Sequence, residues 1–76
     1  MRYNKFGQAS VFTQKGWEQS VYGDRMVITN PSTGNCAAIQ WTPGSRYLFA
    51  VWTDDPEPYL TSVPYIAEQA VILFLE

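Results

Sequence analysis

The 76-residue sequence contains no histidine and only one cysteine, Cys36. One cysteine cannot form an intrachain disulfide, and one thiol without histidine cannot build a structural zinc site. Histidine is also the commonest general base near neutral pH, so its absence argues against acid–base catalysis. Cys36 lies in the apolar stretch NCAAIQW, which predicts a small buried strand residue rather than a nucleophile. The sequence therefore predicts a protein that is not an enzyme and has no cofactor and no metal.

Charged residues are scarce, at 16% of the sequence, whereas about 25% is typical of soluble domains. A chain of this length forms one domain, residues 1–76, and buries only roughly 60–65% of the surface of its unfolded form. Small domains usually compensate with disulfides, a metal or a partner subunit. With the first two excluded, and with 16% aromatic residues, the composition favours a protein partner over a compact monomer with an aromatic core.

Basic residues are absent after Arg46, and the last thirty residues carry five acidic side chains. If the two halves form different faces, copies of the chain would meet head to tail with opposite charges opposed. If the halves interleave in one sheet, the asymmetry cancels. With five basic residues against seven acidic ones, the chain has too few positive charges to bind a phosphate backbone well, which argues against a nucleic-acid partner.

No targeting or membrane segment is recognisable. The first ten residues, MRYNKFGQAS, contain no apolar stretch of the kind found in signal peptides. The apolar run AVILFL, residues 70–75, is far shorter than the roughly 20 residues needed to span a bilayer. We expect cytoplasmic synthesis without a signal peptide, with a virion as one possible destination.

Short segments rich in β-branched and aromatic residues alternate with turn sequences along the whole chain. The segments are SVFT, WEQSVY, RMVIT, CAAIQW, RYLFAVWT and AVILFL, and the turns between the first five contain QKG, GD, NPSTGN and TPGS. The pattern predicts an all-β protein, a meander of five or six short strands closed as a small barrel or a thin sandwich.

Two of these segments, RYLFAVWT and AVILFL, are apolar on both faces. Strands of this kind need cover on both sides, so we expect them to be neighbours at the centre of the sheet. A short helical turn near residues 64–68, capped by Thr61 or Ser62, is compatible with the sequence. Extending this helix through Leu75 would leave almost no polar face, so we favour a turn followed by a strand.

Residues 54–64 form a Pro-rich acidic loop or arm that contains Asp54, Asp55 and Glu57. Its prolines deny the backbone ladder hydrogen bonds and favour an extended conformation. Three carboxylates on a stiff backbone without glycine fit a calcium loop poorly. A solvated acidic loop is favoured, and a weak cation contact stays open.

The aromatic and acidic side chains supply the candidate contact residues. Trp41 and Trp52 are expected in the core, whereas Trp17, between Gly16 and Glu18, is expected to be exposed. The residues that we predict to bind a partner are Trp17, Tyr22, Asp54, Asp55, Glu57, Tyr59 and Tyr65.

These features favour a structural or assembly subunit that acts through protein–protein contacts, with copies of itself or with a larger assembly. By type alone, a virion decoration or tail protein fits this description. The alternatives are a small inhibitor that docks on a larger enzyme, as phage anti-defence proteins do, and a glycan- or single-strand-binding β module. An assembly subunit should have two distinct contact surfaces, an inhibitor one, and a glycan binder a row of coplanar exposed aromatics.

Overall fold

The computed structural model describes residues 10–76, with side chains described from Phe12 onward. The first nine residues, on which the signal-peptide prediction depends, lie outside this range. The elements, in chain order, are helix α1 (Ser10–Gln14), strands β1 (Glu18–Tyr22), β2 (Arg25–Thr29), β3 (Cys36–Trp41), β4 (Phe49–Trp52) and β5 (Tyr59–Thr61), and helix α2 (Pro64–Leu75).

The five strands form one antiparallel sheet in sequence order, which confirms the predicted meander. The β1–β2 turn has two residues and places Gly23 at φ 63°, the conformation that a type II′ hairpin turn requires at its first central position. In the described part of the chain β1 and β5 are the two edges of an open sheet. The predicted closure into a barrel or sandwich is therefore not confirmed.

The core lies on one face of the sheet, between the strands and α2. Residues opposite one another in the register share a face, as Met26, Ile39 and Val51 do on β2, β3 and β4. The buried core cluster consists of Phe12, Met26, Ile28, Ala37, Ile39, Phe49, Val51, Ala67, Val71, Ile72 and Leu75. The molecule measures 35 × 34 × 20 Å, and the smallest dimension corresponds to two layers, the sheet and α2.

The predicted C-terminal strand AVILFL is wrong, because these residues belong to the 12-residue helix α2. Pro64 is the first helical residue, where a missing N–H costs nothing. The carbonyl of Val63 accepts hydrogen bonds from the N–H groups of Ile66 and Ala67, both at 3.1 Å. The predicted cap at Thr61 or Ser62 is also wrong: Val63 is the N-cap residue and makes no side-chain capping bond.

The C-terminal end of α2 is held by side chains from two earlier segments of the chain, Asn30 and Lys15. The buried Asn30, directly after β2, donates a hydrogen bond from Nδ2 to the carbonyl oxygen of Leu75 at 2.8 Å. Lys15 Nζ and Glu76 Oε2 form an ion pair at 2.9 Å. Because carbonyls in the last turn of a helix lack intrahelical partners, the Asn30 contact both satisfies and orients the helix end.

Three further expectations need correction. SVFT is not a strand: Ser10–Gln14 is helix α1, and its Phe12 is fully buried in the core. RYLFAVWT forms a strand only over Phe49–Trp52, because the loop after Thr42 continues to Leu48, whose carbonyl accepts the N–H of Thr42 at 2.8 Å. Cys36 is exposed at the start of β3 rather than buried.

Candidate functional site

The outer face of α2 is almost entirely apolar. Ala67, Val71 and Leu75 lie on the side that packs against the sheet, so the 3.6-residue period places residues such as Ile66 and Leu73 on the outside. We name this outer face the helix surface; it consists of Tyr65, Ile66, Gln69 and Leu73, while Ala70 packs against the core cluster. Leu73 is 76% exposed and Tyr65 is 66% exposed, so large apolar groups remain in contact with water.

No charged side chain interrupts the helix surface. The only charged residue of α2 is Glu68, which is 5% exposed and points to the sheet side. An exposed helix of a monomeric protein normally carries its charged residues outside and its apolar residues inside. Because α2 reverses this arrangement at Glu68 and Leu73, its outer side resembles the buried side of an interface.

The opposite side of the molecule carries further apolar side chains, interspersed with the polar Glu18, Arg25 and Gln40. Residues of the sheet that alternate with the core residues point away from α2. We name their apolar members the sheet surface; it consists of Tyr22, Val27, Ala38, Ala50, Trp52 and Leu60. Tyr22 is 67% exposed, Leu60 is exposed, and Val27 and Trp52 are half-buried.

A shallow depression of about 240 Å³ lies within the sheet surface. It is lined by Arg25, Val27, Cys36, Ala37, Ala38, Trp52 and Thr53. Arg25 Nε donates a hydrogen bond to Gln40 Oε1 on the neighbouring strand β3 at 3.0 Å.

The predicted acidic residues lie together in the loop between β4 and β5. Asp54, Asp55 and Glu57 are exposed there, and Tyr59 begins β5 with its ring exposed. Thr53, Asp55, Pro56, Glu57, Pro58 and Tyr59 line an open depression of about 400 Å³. Within residues 10–76, no group of three or more His, Cys, Asp or Glu side chains is placed to hold a metal ion.

The remaining predicted contact residues lie in three separate places. Tyr22 belongs to the sheet surface and Tyr65 to the helix surface. Trp17 is half-buried instead of exposed: its ring stacks on Phe12 with centroids 6.3 Å apart, and Lys15 Nζ lies 5.5 Å from its centroid. Trp17 therefore packs against the edge of the core. The predicted contact residues lie in separate places and do not form one site.

Sequence reasoning missed the apolar residues that dominate both surfaces. The interpretation of residues 70–75 as a strand gives Leu73 no exposed side, and the sequence offers no signal that singles out Ile66 or Leu60. A helical projection of residues 64–75 would have shown the signal. It places Glu68 on the same side as Val71 and Leu75, and leaves the opposite side without charge.

None of the helices in the described part of the chain is long and apolar enough to cross a membrane. Comparison of the chain with protein-family models, with curated proteins and with solved structures finds no match.

Proposed function

We propose that this protein is a non-enzymatic assembly subunit that acts by binding other protein chains through the helix surface and the sheet surface. The observation that carries the proposal is the uncharged outer face of α2. Exposing Leu73 at 76% gains nothing for the isolated fold. Full burial of a leucine side chain is worth about 1.5–3 kcal/mol, and most of this gain is still available to a partner.

The position of the two surfaces supports a subunit with more than one neighbour. The molecule is only 20 Å thick in its smallest dimension, and the helix surface and the sheet surface cover its two broad sides. A protein with contact surfaces on opposite sides links neighbours into a larger assembly, whereas an inhibitor needs one surface. A virion decoration or tail protein is the kind of subunit that this arrangement fits.

An inhibitor that docks on an enzyme is the second candidate, and the acidic loop favours it. Asp55 and Glu57 line an open depression together with Tyr59, at the end of the sheet away from Arg46. A partner with a basic groove would match this loop through charge complementarity. The two proposals differ in self-association, which we expect of an assembly subunit whose neighbours are copies of the chain and do not expect of an inhibitor.

The test measures the absolute mass in solution by light scattering over a range of concentrations. Leu73→Glu removes the helix surface and Leu60→Glu the sheet surface, while Thr33→Glu in the exposed β2–β3 loop is the matched control. We expect a wild-type mass above that of one chain that rises with concentration, a lower mass for each surface variant, and no change for Thr33→Glu. A wild-type protein that is monomeric at every concentration would contradict self-assembly and favour the inhibitor.

A further inference from the structure

We infer that the outer edge of strand β1 binds an extended segment of a partner chain, which adds to the sheet as a further antiparallel strand. This contact uses the main-chain atoms of Gln19 and Val21, so it is independent of the helix surface and of the sheet surface. Strand β1 is an edge strand, because β2 is its only neighbour in the described sheet. The backbone groups that β1 turns away from β2 therefore determine what can pair with it.

Two hydrogen bonds at the ends of β2 show which way its backbone groups point. Asn30, directly after β2, donates its N–H to the carbonyl of Asn35 at 2.9 Å, on the β3 side. Asp24, directly before β2, accepts the N–H of Trp41 at 2.8 Å, on the same side. Because the direction alternates along a strand, the even-numbered residues of β2 face β3 and the odd-numbered ones face β1.

Strand β1 therefore turns the backbone of its odd-numbered residues outward. In the antiparallel register, the odd-numbered residues of β2 stand opposite even-numbered residues of β1, as Val27 does opposite Ser20. These pairs exchange hydrogen bonds, so Gln19 and Val21 point the other way. Within residues 10–76, the N–H and carbonyl groups of Gln19 and Val21 have no hydrogen-bond partner. The edge thus offers two donors and two acceptors, on residues about 6.8 Å apart.

Helix α1 closes this edge only at its beginning. Trp17, the preceding outward residue, donates its N–H to the carbonyl of Phe12 in α1 at 3.1 Å. Gln19 contacts α1 through its side chain, because its Nε2 donates to the hydroxyl of Thr13, and this contact leaves its backbone groups unused. Val21 is 58% exposed. The open part of the edge therefore lies at Gln19 and Val21.

The opposite edge of the sheet is blocked in a way that the β1 edge is not. Strand β5 has only three residues. Carried across the sheet by the register, the same alternation directs Tyr59 and Thr61 towards β4 and only Leu60 outward. The preceding outward position is Pro58, which has no N–H. Strand β1 has five residues and contains neither proline nor lysine, the residue types that commonly protect sheet edges.

The groups at the β1 edge select an extended backbone as the partner. In an antiparallel strand, the residues opposite Gln19 and Val21 each exchange both hydrogen bonds, so two residues satisfy all four groups. A helix cannot do this, because its backbone groups are bonded internally. Val21 stands opposite the buried Met26, so the partner residue beside Val21 lies on the core face, where a β-branched or aromatic side chain pairs best. Proline is excluded at both bonding positions, because it has no N–H.

The probe is a phage-displayed library of short random peptides, selected against the full-length chain. Val21→Pro removes one outward N–H and places a ring where the added strand would lie, but it removes no hydrogen bond to β2. Val21→Thr keeps this N–H and is the matched control. Thermal unfolding verifies the fold of each variant, and Gln19→Pro takes the place of Val21→Pro if that variant does not fold.

We expect the selected peptides to bind Val21→Pro at least about tenfold more weakly than wild type, and Val21→Thr within about threefold. Amide hydrogen exchange of the wild type gives a second readout that needs no variant. Without peptide, the N–H groups of Gln19 and Val21 should exchange faster than those of Ser20 and Tyr22, which bond to β2. Bound peptide should slow the exchange of the two outward groups at least about tenfold.

Several results would overturn the inference. Equal binding to wild type and Val21→Pro would show that the peptides do not use this edge, and a library without any binder would show that the edge accepts no strand. Slow exchange of Gln19 and Val21 without peptide would show that the edge is already covered. Peptide binding that is lost in Leu73→Glu but retained in Val21→Pro would assign the peptides to the helix surface, against this pairing.

Discussion

Leu73 and Leu75 provide a matched pair of substitutions that tests how the C-terminal segment folds. Leu75 is completely buried in the core, whereas Leu73 is 76% exposed on the other side of α2. In a strand, residues two positions apart would lie on the same face and respond alike. In a helix they lie about 160° apart, so the same substitution destabilises the fold at the buried position and leaves it nearly unchanged at the exposed one.

Leu75→Ala removes three buried carbons from the centre of the core and leaves a cavity. Substitutions of this kind cost about 2–5 kcal/mol, and a 76-residue domain has a free energy of unfolding of only about 4–11 kcal/mol. We therefore expect a midpoint of thermal unfolding lower by more than about 10 °C. Leu73→Ala removes exposed carbons and should change the free energy of unfolding by about 0.5 kcal/mol or less.

The assay is urea unfolding followed by tryptophan fluorescence, at protein concentrations low enough to keep the chains apart. Trp17 and Trp41 pack against the core cluster and report its loss. Equal destabilisation by the two substitutions would refute the helical assignment. If Leu75→Ala does not fold, Leu75→Met provides the comparison, because a volume-conserving exchange usually costs less than about 1.5 kcal/mol.

Two further substitutions test the contacts that place α2 and the first hairpin. Asn30→Ala removes the hydrogen bond to the carbonyl oxygen of Leu75 and leaves that buried oxygen without this donor. We therefore expect the free energy of unfolding, measured in urea, to fall by about 1–3 kcal/mol. A change below about 0.5 kcal/mol would contradict this role. Gly23→Ala places a Cβ at φ 63° with no neighbouring atom within 4 Å. The cost is therefore backbone strain of about 1 kcal/mol, measurable as a lower thermal midpoint, and an unchanged midpoint would show that the turn relaxes.

The central hairpins were predictable because their signals are local. RMVIT and CAAIQW each place apolar residues at alternate positions, and a loop with proline and glycine separates them. Ala37, Ile39 and Trp41 alternate in CAAIQW, and they share the core face of β3. Turn chemistry and period-2 alternation are contained in the sequence of each hairpin itself, so no distant contact is needed to recognise them.

The first helix was not predictable in this way. SVFT is too short to display a helical period, and its composition favours a strand. What decides its conformation is the burial of Phe12 against Trp17 and the core, which is a tertiary contact. The burial of Trp17 also depends on a contact that its immediate neighbours do not indicate. Gly16 and Glu18 suggest exposure, but the ring of Trp17 stacks on Phe12 in α1.

The misassignment of α2 and the proposed contact have the same physical origin. A helix of a solitary domain is recognised by a polar side at a 3.6-residue period, and residues 70–75 provide none. Because residues 70–75 lack a polar side, their sequence favours a strand that is covered on both faces. The structure shows a helix covered on one face only, with Leu73 and Ile66 in water on the other. If a partner chain covers that face, as we propose, the apolar sequence is consistent with burial on all sides. Covering the segment on both faces, as its composition suggests, then requires two chains instead of one.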